Sequence, residues 1–93
     1  MNKEEVIKLL DDLGLDPTGE FDEHRYVVQL EDSDEYARYY TKLDEAADFQ
    51  LVDASSISAE RVNVLTYSDD TYKLKLSANF DDDYYTLSVE GVK

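Results

Sequence analysis

Carboxylates and phenols are the groups in this chain that could do chemistry. Its 93 residues include 23 Asp and Glu, eight Tyr and a single His, with no Cys. Without thiols, neither a disulfide framework nor a thiolate metal site can form. Triad-type hydrolysis needs a base held against a nucleophile. The lone imidazole, His24, stands at the edge of a strand-like run, where it reads as plain surface. Carboxylate pairs of the glycosidase kind are present by residue type. A short chain with no Gly-rich phosphate loop is nevertheless a poor host for a deep active-site cleft. The expectation is a protein that is not an enzyme and uses no cofactor.

One spacing deserves a metal test. Asn79, Asp81, Asp83 and Glu90 fall at positions 1, 3, 5 and 12 of the calcium-loop pattern. Position 6, where the sharp turn needs Gly, is Tyr84. The residues on both sides alternate as strands, so flanking helices are missing too, and the match reads as coincidence in an acid-rich chain. No metal site is expected.

Net charge is the extreme feature, at −14. It disfavours direct contact with DNA, RNA or an anionic membrane, and favours a basic protein surface. A groove that binds phosphates with Lys and Arg accepts carboxylates by the same bidentate geometry. Tyrosines among the acids add anchors of the kind enriched at interfaces. The candidate partner-binding residues are Asp69 and Asp70, then Asp81, Asp82, Asp83 and Tyr84, then Asp16, Glu20, Asp22 and Glu23 in the loop between residues 16 and 23. The first two groups sit at opposite ends of one strand of about 25–30 Å, so they suit a mimic of a long duplex, or a role in solubility alone, better than one compact patch.

Five strands and two helices must position these residues. Asn2 followed by Glu5 opens a helix over residues 3–13, with Val6, Leu9, Leu10 and Leu13 as its apolar stripe. Gly14 supplies a left-handed stop, and Leu15 packs back in a Schellman motif. The segment 16–23 reads as loop, with Phe21 as its anchor into the core. Residues 24–31 alternate as a strand with Tyr26, Val28 and Leu30 on one side. Asp32 and Glu35 then cap a central helix within 31–48, whose seam is Tyr36, Tyr39, Tyr40, Leu43, Ala46 and Ala47. On its outer face Asp34 can pair with Arg38, and Lys42 with Glu45.

Beyond Asp48 the period changes to two. Strands are expected at 49–53, 61–67, 71–79 and 84–90, with 54–58 as a connection that could hold a helical turn and Gly91 starting a tail. Short links make the last three strands antiparallel hairpins. The order is α-β-α-β-β-β-β, a single α+β domain built as a two-layer sandwich with both helices on one face of a mainly antiparallel sheet. Residues 1–13 lack a signal-peptide pattern, and no apolar run reaches membrane-spanning length, so a cytoplasmic protein is expected.

In size, charge, lack of cysteine and compact α+β plan, the chain resembles the small acidic proteins that phages encode against host defence, including anti-CRISPR proteins and DNA mimics. No motif carries that resemblance, so it assigns no residue. It implies a partner such as a CRISPR nuclease or another DNA-binding enzyme, held by its basic groove. The functional expectation is an acidic inhibitor, monomeric or dimeric. The alternative is a small phage or bacterial assembly protein that self-associates through a sheet edge.

Overall fold

The first helix, α1 (Lys3–Asp12), begins and ends by side-chain and backbone chemistry legible in its residues. The computed structural model describes residues 2–57, 59 and 61–92. The Asn2 side chain accepts a hydrogen bond from the Glu5 N–H at 2.9 Å. At the other end Gly14 takes φ 76°, the Leu15 N–H reaches the Leu10 carbonyl at 2.8 Å and the Gly14 N–H reaches that of Asp11 at 3.0 Å. That pair of bonds is the Schellman stop. It turns Leu15 into the core beside Val6 and Leu10.

The segment expected to be loop contains a strand. Glu20–Asp22 is β1, paired antiparallel with β2 (Arg25–Leu30) across a turn in which Glu23 has φ 59°. Three residues are too few to show a period, and the acids masked the pairing. Gly19 makes the entry: a Cβ there would collide with the Val27 carbonyl, so only glycine lets the chain come this close to β2. Phe21 is not the buried anchor it was expected to be. It stays 40% exposed, edge-on to Tyr26 at 5.2 Å between ring centroids, because β1 is the outermost strand of the sheet.

Helix α2 spans Ser33–Glu45, with the Asp32 side chain accepting from the Glu35 N–H at 2.9 Å. It ends three residues before Asp48. Ala46 is already extended, and its carbonyl accepts from the Phe49 N–H, turning Phe49 into the core. A ring buries far more surface than two alanines would on a longer helix, so the turn wins. Tyr39 and Leu43 are buried and Tyr36 partly so, but Tyr40 lies off the seam and is exposed. Arg38 pairs with Glu35 at 3.6 Å rather than with Asp34, and Lys42 lies over Gly14 rather than beside Glu45.

Four strands follow: β3 (Gln50–Ile57), β4 (Val62–Ser68), β5 (Tyr72–Asn79) and β6 (Tyr84–Gly91). The expected short strand at 49–53 and its connection are one strand, with a bulge between Leu51 and Asp53. The bulge resets the alternation at Leu51-Val52, which is why the period looked broken there. Ser58 lies outside the described residues. Gly91 is no tail residue but pairs with Tyr72.

Among the described residues the sheet therefore has six strands in the order β1-β2-β6-β5-β4-β3, every pairing antiparallel, and the chain runs α-β-β-α-β-β-β-β. The α+β plan holds, with one strand more than expected. Both helices share a single core with one face of the sheet, where Leu74, Leu76, Leu87 and Val89 are fully buried. Three tyrosine hydroxyls fasten loops and helix to that core. Tyr26 donates to the Pro17 carbonyl at 2.6 Å, Tyr39 accepts from the Asp16 N–H at 3.1 Å, and Tyr72 donates to Glu5 at 3.2 Å. No helix among the described residues is long and apolar enough to cross a membrane.

Candidate docking surface

The strand order decides where the acids go. Leu30 pairs with Tyr85 and Asn79 with Tyr84, so the start of α2 and the β5–β6 turn meet at one end of the sheet. An aromatic cluster holds them together. Tyr36 on α2 lies 5.7 Å from Tyr85 and 6.1 Å from Phe80, and those two rings are 5.9 Å apart. The Tyr85 hydroxyl is pushed above its ordinary pKa by burial and by Asp83 beside it, with the Ser33 hydroxyl opposing. Asp81, Asp82 and Asp83 thus share this end with Glu31, Asp32 and Asp34. Arg61 lies 3.4 Å from Asp81 at this end. Asn79 braces the turn, accepting from the Asp82 N–H and donating to its carboxylate, both at 3.1 Å. Glu31, Asp32 and Asp34 have structural duties at a helix start. Sequence alone offered no sign that they neighbour the Asp81–Asp83 turn.

The opposite end carries Asp69 and Asp70. One Asp69 oxygen accepts from the Thr71 N–H at 2.8 Å and the Tyr72 N–H at 2.6 Å, so this acid forms the turn. Asp48 joins it: Asp48, Asp69 and Asp70 line one open depression with Gln50, Val52 and Ser68. As expected, the two turns occupy opposite ends of β5.

The remaining candidates divide. Glu20, Asp22 and Tyr84 line a second shallow depression with Val27 and Gln29, brought together because β2 pairs with β6. Glu23 lies in the β1–β2 turn beside His24, at the other end of β2 from the Asp81–Asp83 turn. Asp16 is a loop fastener. Hydrogen bonds from the Thr18 side chain and backbone hold its carboxyl below the usual range. His24 sits exposed, its Nε2 3.6 Å from Glu90. Glu90 in turn lies 3.6 Å from Lys75 and faces Lys73 across the sheet, far from the other members of the calcium-loop spacing. Among the described residues no three His, Asp or Glu converge as a metal-binding group.

The sheet face away from the helices differs from these ends. Register places Glu20, Asp22, Asp53 and Glu90 there with Arg25, Lys73 and Lys75 among Ser, Thr and Val residues. Four acids against three bases nearly cancel. The other described acids number 18 against five bases, and they occupy the helices, turns and connections. The negative field belongs to the rim and the helical side. No protein-family model, curated protein or solved structure matches the chain.

Proposed function

We propose that this chain is a non-enzymatic acidic binding protein that docks its carboxylate-rich rim onto the nucleic-acid-binding surface of a basic partner. The partner class is a CRISPR nuclease or another DNA-binding enzyme, and the effect is inhibition by occupying the groove.

The partition of charge carries this reading. Acids gather in the turns at both ends of β5, whereas one sheet face is nearly neutral. A duplex carries one charge per about 1.7 Å, roughly 21 over 36 Å, the longest extent of the molecule. At −14 the protein reaches about two-thirds of that line density. Exposed Tyr84, next to the Asp81–Asp83 turn, adds an aromatic anchor. Self-assembly through a sheet edge is the weaker reading, because it sets two chains of −14 against each other.

The test is competition. Immobilised protein is exposed to a nuclease-treated bacterial extract at low salt, and the retained proteins are challenged with duplex DNA. Retention of a DNA-binding enzyme that DNA displaces supports the reading. Retained proteins that DNA fails to displace contradict it.

A further inference from the structure

The two edges of the sheet are protected very differently. Edge strand β1 has three residues, two of them acids. Edge strand β3 has eight residues with one charge, Asp53, and no Pro or Lys. Long edges with few charges are the ones other chains pair with, and charges, Pro and bulges are the usual guards. Here the guard is a single bulge near the start, leaving the run from Asp53 to Ile57 regularly paired on its inner side only.

The helix layer also stops short of this edge. Helix α2 lies against β5 and β6. On the same face, Leu51 is 49% exposed, Ala54 and Ser56 are exposed, and Leu65 is only partly buried. Val52 in the bulge is 57% exposed and Tyr40 on α2 42%. Three of the six large exposed hydrophobic side chains among the described residues, Leu51, Val52 and Tyr40, therefore belong to β3 and α2. The depression lined by Asp48, Asp69 and Asp70 opens at the start of the same strand, with Val52 in its wall.

We infer that the free edge of β3 is a strand-addition site for an extended, cationic segment of a partner protein. Main-chain hydrogen bonds to β3 would supply the pairing, apolar side chains would cover Leu51 and Val52, and a Lys or Arg would enter the Asp48–Asp69–Asp70 depression. Charge selects this occupant over a second copy. A paired copy would bring its own Asp48, Asp53, Asp69 and Asp70 to the same seam, whereas a basic segment meets them with the opposite sign. The inference rests on the acidic-docking reading and assigns it a contact mode.

Two peptides test it on the whole chain, followed by amide NMR at low salt. One alternates lysine with valine, and the other has the same side chains with alternate backbone nitrogens methylated, keeping the charge but losing the pairing. Expected are shifts confined to residues 50–57 and the depression, with the methylated peptide weaker by about tenfold or more. Asp53→Lys, at an exposed position, should weaken the first peptide while leaving the native spectrum. Equal binding by both peptides, shifts centred on Asp81–Asp83, no binding by either, or a free chain that sediments as a dimer with protected β3 amides would each overturn it. If the chain still retains a DNA-displaceable enzyme in those cases, only the edge assignment fails; if that retention is lost too, the parent reading fails with it.

Discussion

The two faces of the sheet come from the same strands and carry opposite chemistry. On β5, Leu74 and Leu76 are fully buried beneath the helices, while their neighbours Lys73, Lys75 and Ser77 lie half-exposed on the other side. The open face balances its few charges with direct pairs, as Lys75 does with Glu90 and Arg25 with Asp22. The rim and helices pair Arg61 with Asp81 and Arg38 with Glu35, yet among the described residues they keep 18 acids against five bases. Solubility requires net charge but no particular distribution. A neutral face beside an acidic rim is a distribution, and the proposed docking surface lies on that rim.

Substitutions can break or sharpen that contrast. The largest effect is expected at Leu74→Ala, which opens a cavity in the buried face and should cost about 2–5 kcal/mol in urea denaturation. The buried face has one flaw among the described residues, the Tyr67 hydroxyl, which is enclosed without a hydrogen-bond partner. Burial, with Asp44 and two tyrosines nearby, pushes its pKa up to about 12 from an ordinary 10.0. The neutral phenol is therefore the form the fold favours. The stability tied to it is fully present below about pH 10 and is lost as pH rises through about 12. Tyr67→Phe should remove that alkaline loss in pH-scanned melts. Removing an unpaired buried hydroxyl should also raise neutral-pH stability by about 1 kcal/mol.

On the rim, Asp32→Ala removes the α2 cap and should cost about 1 kcal/mol, read from the shift in the denaturation midpoint. The smallest effect is expected on the open face. Ser77→Ala should stay within about 0.5 kcal/mol of the parent chain. A large loss there would mean that the open face is already covered.

Much of this was legible in the sequence because it is local. Asn2, Glu5, Gly14 and Leu15 specify the first helix and its stop within fifteen residues, and Asp32 with Glu35 does the same for the second. The alternation from Tyr72 to Ala78 identifies a half-buried strand by itself. What could not be read depends on distant partners. β1 exists only because β2 is beside it, and the bulge in β3 disguised a strand as a strand and a connection. The grouping of Asp81–Asp83 with Asp32 and Asp34, and of Tyr84 with Glu20, follows from β6 pairing with β2. Nothing within either segment encodes that neighbour.

The most direct test of acidic docking is the salt dependence of affinity for the retained enzyme, measured for the parent chain and for a variant with Asp81, Asp82 and Asp83 all changed to Lys. The account predicts affinity that falls steeply as salt rises, and a variant that binds more weakly with a shallower slope. Affinity that is the same at low and high salt would contradict it.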